Sequence, residues 1–132
     1  MKRKKKVTLA KVRRLTLALW SKKVRQRAED KCEVCGKPEG FINPKGNPVH
    51  LNAHHIEDKA NQRLRFDIDN GIALCPSCHK FGRDSAHRSP IWFVEWLLRY
   101  ATPRYSYVLA HRKEPPPDRA GVEGLFKKLG SE

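Results

Sequence analysis

Four cysteines place the tightest constraint on this chain. They fall in two pairs, Cys32/Cys35 and Cys75/Cys78, and each pair has two residues between its members. In a cytosolic chain this spacing favours a metal over a disulfide. Free structural cysteines or a redox pair are the alternative readings. Zinc takes a tetrahedron of soft ligands, and two such knuckles about 40 residues apart can bring four thiolates to one ion. A closed set of four thiolates has no open position, so this zinc holds the fold and performs no chemistry. The chain is 132 residues long. That length suits one domain with room for tails, and so modest a core benefits from a metal staple.

The segments around the knuckles carry readable local signals. Residues 8–20 place Leu9, Val12, Leu15, Leu19 and Trp20 at roughly helical spacing. Ser21 can cap a further turn carrying Val24 and Ala28, so a bend there and one straight helix both remain open. Cys32-Glu33-Val34-Cys35-Gly36 reads as a metal knuckle closed by glycine. Residues 36–48, with three Gly and three Pro, form a loop. Val49 to His54 alternates and predicts a short strand. Residues 56–69 are polar and form a long loop, Asn70-Gly71 marks a tight turn, and Ile72-Ala73-Leu74 predicts a second strand.

Pro76 to Lys80 reads as the start of a helix, kept short or kinked by Gly82 and Asp84. Ser89-Pro90 is a cap followed by a first helical residue. The run Ile91 to Leu98 is apolar on nearly all sides, which predicts a buried helix with Trp92, Phe93 and Trp96 in the core. Thr102-Pro103 ends it. Pro115-Pro116-Pro117 forms a stiff linker, followed by a short amphipathic helix over 119–129.

The net charge is +14, and it is unevenly placed. Residues 1–31 hold 13 Lys and Arg against only Glu29 and Asp30. This basic arm or helix can neutralise phosphates and release their counterions, which makes nucleic acid the leading partner. A solubility tail or a membrane-surface patch is the blander reading. The basic residues Lys11, Arg13 and Arg14 interrupt any apolar run after the N-terminus. No signal peptide or membrane span is read, and a cytoplasmic location is expected. The expected organisation is a basic N-terminal arm or helix over 1–23, a central domain over 24–112, and a Pro-rich linker with a short helix over 113–132.

Histidines supply the second constellation. The zinc knuckles draw the end of the first strand towards the start of the helix, so His54 and His79 can meet. Two imidazoles from different elements form a partial shell for a divalent ion that keeps positions open for phosphate and water. Neighbours at a strand end point to different sides, so His54 and His55 cannot easily share one ion. One is expected to be a ligand and the other a free base.

The run Leu51-Asn52-Ala53-His54-His55-Ile56-Glu57, followed by Asn70-Gly71-Ile72-Ala73-Leu74-Cys75-Pro76-Ser77-Cys78-His79-Lys80, resembles the HNH endonucleases. The likeness is to their zinc-stapled bacterial and phage subgroup and covers roughly residues 24–90. The resemblance implies a small α+β fold: a ββα-metal (His-Me finger) core with a structural four-cysteine zinc site and flanking N- and C-terminal helices. It implies a DNA-cutting, metal-dependent phosphodiester hydrolase that leaves 5′-phosphate and 3′-hydroxyl ends. His54 matches the metal ligand that precedes the base, and His55 matches the general base. Asn70 matches the residue that pins the loop carrying the base, and His79 matches the helix-borne ligand.

Many relatives have a further His ligand where this chain has Arg83. His87 can take that role if residues 82–86 fold back. Mg²⁺, Mn²⁺, Ni²⁺ and Zn²⁺ all remain open as the catalytic ion. Arg63, Arg65, Lys80, Arg83 and Arg88 are candidate phosphate contacts, with a solvated loop face as the alternative for the first two. Family context, and no residue, suggests phage terminase or packaging proteins as partners in a bacterial host cell. A non-catalytic zinc-stabilised DNA-binding module is the competing reading.

Overall fold

The computed structural model describes residues 6–131, so most of the polybasic stretch 1–6 lies outside the described residues. The chain begins with α1 (Leu9–Arg27). Thr8 caps it, its hydroxyl oxygen accepting from the Lys11 N–H at 3.2 Å. Val12, Thr16, Trp20 and Val24 recur every fourth residue and form one buried stripe. Thr16 is tolerated there because its hydroxyl donates to the Val12 carbonyl. Ser21 caps no separate turn, because one helix runs unbroken across position 23. One face of the basic segment's described helix is thereby packed against the rest of the protein.

Two short strands follow, β1 (Asn52–His55) and β2 (Gly71–Leu74), paired antiparallel. His55 lies opposite Gly71, and His54 opposite Ile72. The first strand starts later than the alternation predicts. The Val49 N–H bonds instead to the Phe41 carbonyl, inside the Gly- and Pro-rich loop, and the Leu51 N–H bonds to the Glu39 carboxylate. Residues Ile68–Asn70 form one tight 3₁₀ turn that leads straight into β2.

Strand alternation divides the hairpin between two layers. Ala53 and Ala73 face α1, where Trp20 and Val24 pack on them. Ile72 and Leu74 face the cysteine cluster and the next helix. Gly71 sets how closely α1 approaches. A methyl group there would collide with Val24 and lie 2.9 Å from the Trp20 ring.

After β2, residues Ser77–Phe81 make a single wide turn, closed by the Gly82 N–H on the Ser77 carbonyl at 2.7 Å. This is a π-type bond, and it makes the expected short helix one turn long. Helix α2 (Pro90–Tyr100) starts with proline in its first turn. Ser89 does not cap it, because its hydroxyl donates to the Arg83 carbonyl. Nor is α2 buried all round: Phe93 and Leu97 are buried, while Ile91 is 80% and Leu98 53% exposed. Trp92 and Trp96 are half-buried. Three thin layers offer a small helix only one face to bury, whatever its own apolarity.

A further helix, α3 (Thr102–His111), was not anticipated. Pro103 cannot continue α2 but suits the first turn of a new helix, so one dipeptide ends one element and opens the next. The C-terminal helix α4 (Arg119–Gly130) is capped by Asp118, which accepts from the Gly121 N–H at 2.8 Å. Val122 joins Val12 and Phe66 in a buried cluster, and Leu129 joins Trp20 and Val24. The N- and C-terminal helices therefore lie side by side, flanking the hairpin. No helix among the described residues is long and apolar enough to cross a membrane.

Gly71→Ala is expected to lower stability by about 1–3 kcal/mol through overpacking against α1. A thermal or denaturant unfolding curve measures this, with a fall in midpoint as the expected outcome.

Candidate metal centres and active site

The two knuckles meet. The sulfurs of Cys32, Cys35, Cys75 and Cys78 all lie within 4.8 Å of one another, and the Cys35 and Cys75 sulfurs are 3.6 Å apart. Four thiolates around zinc at roughly 2.3 Å would be separated by about 3.8 Å, so the donor set fits that ion. The first knuckle is closed by the Gly36 N–H on the Cys32 carbonyl, with Gly36 at φ +78°, a conformation glycine adopts without strain. It is bound to the hairpin as well. The Glu33 N–H donates to the Ala73 carbonyl, and the Glu33 carboxylate accepts from the Ala73 N–H at 2.8 Å. Arg104 on α3 holds the other carboxylate oxygen at 3.0 Å. The Cys78 thiol beside Cys32 pushes the Cys32 pKa down to about 4. The cluster suggests a structural zinc.

A second group lies beside it. His54 from β1, His79 from the wide turn and His87 from the following loop bring their ring nitrogens within 4.8 Å of one another. His79 Nε2 is 3.1 Å from His54 Nδ1 and 3.1 Å from His87 Nε2. His87 arrives because the chain doubles back. The Ala86 N–H bonds to the Cys78 carbonyl, and the His87 N–H bonds to the His79 carbonyl at 3.0 Å. Gly82 makes the reversal feasible, since a side chain there would begin 2.6 Å from the Ser77 carbonyl oxygen. Arg83 is left exposed at the turn.

Burial, and then the neighbouring imidazoles, push the pKa of His54 down to about 3. Burial and His87 push His79 down to about 4. Neutral rings keep their lone pairs for a cation, and three convergent imidazole nitrogens fit a divalent ion with positions left for other ligands.

His55 turns to the opposite face. Its ring stacks on Trp20, with centroids 4.0 Å apart and planes 10° from parallel. Its Nε2 lies 3.0 Å from the Arg65 carbonyl oxygen. A carbonyl only accepts, so Nε2 carries the hydrogen and the lone pair of the neutral ring is on Nδ1. Burial pulls the His55 pKa down, partly offset by the Arg65 bond.

Asn70 is fully buried. Its Oδ1 accepts from the Glu57 N–H at 2.7 Å, and its Nδ2 donates to the Glu57 and Leu64 carbonyls. It thus ties both ends of the loop 56–65, one end adjoining His55 and the other adjoining its partner Arg65.

The basic candidates divide. Lys80, Arg83 and Arg88 are exposed around the wide turn, with Arg88 donating to the Phe81 carbonyl. Arg63 is engaged internally, by Glu114 at 3.0 Å and Asp67 at 3.4 Å. The Arg65 guanidinium carbon lies 5.5 Å from the centre of the Phe66 ring, and its Nε is buried without a hydrogen-bond partner. Trp20 and the Arg65 carbonyl carry no signal of a site in the sequence. Neither belongs to a local motif, and Trp20 looks like any other apolar position of its helix.

A hairpin and wide turn stapled by four cysteines, with a histidine cluster at the strand end, define a ββα-metal unit. The chain matches the model of the HNH endonuclease family over residues 32–81. It is also 38% identical over 55 residues to the type IV methyl-directed restriction enzyme EcoKMcrA of Escherichia coli (strain K12). That match covers 42% of this chain and 19% of the relative, so the chain spans about a fifth of that protein. No solved structure matches the chain significantly.

Two outcomes are expected. Cys75→Ser abolishes stoichiometric zinc and the cooperative unfolding transition, read by metal analysis and circular dichroism. With zinc on the cysteines and no ion on the histidines, His54 and His79 have folded-state pKa values below their ordinary 6.5. The unfolded chain therefore binds more protons, and stability falls as pH drops from about 6.5 towards 4. Melting midpoints across that range check the sign.

Proposed function

We propose that this chain is a metal-dependent DNA endonuclease in which His55 is the general base and His54, His79 and His87 hold one divalent ion. The observation that carries the reading is the separation of the two adjacent histidines. His54 joins a three-imidazole cluster, while His55 presents a free Nδ1 whose tautomer is set by the Arg65 carbonyl.

The chemistry follows from that arrangement. A phosphodiester is anionic and resists attack, so its hydrolysis needs an activated nucleophile and positive charge. His55 Nδ1 takes a proton from a water molecule as the water oxygen bonds to phosphorus. The resulting imidazolium strengthens its Nε2–H bond to the Arg65 carbonyl, because the donor is now charged. The bond from phosphorus to the 3′ oxygen breaks, and that oxygen takes a proton from solvent. The products are a 5′-phosphate and a 3′-hydroxyl. When bound, the divalent ion supplies Lewis-acid stabilisation of the phosphate and of the leaving oxygen. Asn70 holds the loop that keeps His55 in register with Arg65. Lys80, Arg83 and Arg88 bind flanking phosphates.

An all-imidazole donor set favours borderline ions such as Zn²⁺ or Ni²⁺ over Mg²⁺, which prefers oxygen. The basic outer face of α1, with Lys11, Arg14 and Lys22 exposed opposite the buried stripe, supports a polyanionic substrate. Nothing in these residues forms a base-reading code. Target selection, and any packaging partner, would be supplied from outside the site.

Supercoiled plasmid incubated with the zinc-loaded protein and Mn²⁺, Ni²⁺ or Mg²⁺ is expected to yield nicked or linear forms. Plasmid from methylating and non-methylating hosts is offered, because the relative is methyl-directed. His55→Ala is expected to lose about 10²–10⁴-fold in rate while zinc content and fold persist. Undiminished cutting by that variant would overturn the assignment of the base. Salt-sensitive DNA binding without cleavage under every metal would favour the non-catalytic module.

A further inference from the structure

His55 needs more than a tautomer to act as a base. Its Nδ1 lone pair must point in one direction, and a single hydrogen bond does not secure that. The bond from Nε2–H to the Arg65 carbonyl defines one axis, about which the imidazole plane can still turn. A flat surface against the ring removes that freedom. Trp20 provides it, in near-parallel contact at 4.0 Å between centroids.

Trp20 is itself held. It is 1% exposed, and its indole N–H donates to the Asp67 carbonyl at 2.7 Å. Two carbonyls two residues apart, Arg65 and Asp67, thus take the edge N–H groups of two stacked rings. The Asp67 carboxylate is fixed in turn by the Tyr107 hydroxyl at 2.6 Å, by Arg63 and by the Asp69 N–H. Gly71, opposite His55 in the hairpin, leaves the space through which Trp20 reaches the ring. Trp20 lies outside residues 32–81, the segment that matches the family profile.

We propose that Trp20 is a positioning residue for the reaction, an aromatic plate supplied by α1 that fixes the plane of His55 and so aims its Nδ1. The inference rests on His55 being the general base. It assigns α1 a part in turnover beyond any contact with DNA. It also gives Arg63 and Tyr107 a place in the chain of support, through Asp67.

The test compares Trp20→Leu, which removes the plate, with Trp20→Phe, which keeps an aromatic face but loses the N–H bond. Val24→Ala serves as a control that weakens the same packing of α1 on the hairpin without touching the stack. Trp20→Leu is expected to lower kcat by about tenfold or more, with KM for DNA and zinc content unchanged. Trp20→Phe is expected to stay within about threefold of wild type, and Val24→Ala to keep wild-type kcat below its melting temperature.

Side-chain ¹⁵N NMR reads His55 without any cleavage. One Nε2–H tautomer with a slowly exchanging proton is expected in wild type and Trp20→Phe, and its loss in Trp20→Leu. Wild-type kcat or an unchanged His55 signal in Trp20→Leu, while His55→Ala is inactive, overturns the inference alone. An equal loss of kcat in Val24→Ala also overturns it, since the effect is then one of stability. Activity of His55→Ala equal to wild type overturns the reading of the base, and the inference with it.

Discussion

The gathering of four cysteine sulfurs into one cluster is the constraint on which the rest of this structure depends. The hairpin has only four residues in each strand, too few to stand alone in water. One knuckle precedes the hairpin in sequence and bonds to its second strand through Glu33, while the other continues directly from that strand. Closing the two knuckles on one centre fixes the direction in which the chain leaves β2. That direction aims the wide turn, with His79 on it, back towards the end of β1. The stapling and the histidine cluster are therefore one piece of geometry.

The hairpin then acts as a partition. A period of two along β1 sends His54 to the layer of cysteines and α2, and His55 to the layer of α1. Each ring acquires a different environment. His54 meets two more imidazoles and the edge of Phe93. His55 meets a tryptophan face and a backbone carbonyl. Burial lowers the proton affinity of both. Among the contacts described, His54 has ring partners that can share a cation, whereas His55 has a donor-accepting carbonyl and a stacked plate. Residues adjacent in the chain thus become chemically unlike through the pleat of a four-residue strand.

The flanking helices are more than appendages to this unit. Helices α1 and α4 enclose one face of the hairpin, and α2 and α3 brace the other. Arg104 and Tyr107 on α3 reach Glu33 and Asp67, one in the first knuckle and one in the loop beneath His55. A short ββα core with few apolar contacts of its own gains rigidity where polar side chains from several elements converge. The loop 56–69 illustrates this. It is long and polar, yet Asn70, Arg63, Tyr107 and Trp20 each bond to its backbone or its acidic groups.

Much of the fold was legible in the residues themselves, wherever the controlling physics is local. The CxxC knuckles, the Pro and Gly punctuation, the presence of α1 and the C-terminal helix all follow from covalent spacing and helical period, although the face α1 buries runs through Thr16 and Val24 and leaves Leu15 exposed. The differing surroundings of His54 and His55 could be anticipated from strand alternation, while the roles proposed for them come from the family resemblance. Other features needed the tertiary structure. The apolarity of α2 overstated its burial, because packing offered it one face only. Helix α3 was hidden behind a proline that reads equally as a stop or a start. His87 joins His54 and His79 only because Gly82 lets the backbone reverse, and Arg63 turns inward only because Asp67 and Glu114 come to lie beside it. The stacking of Trp20 on His55 is set by how closely one helix approaches one glycine. Sequence spacing determines which groups a short stretch presents. The packing of elements far apart in the chain decides which of those groups meet.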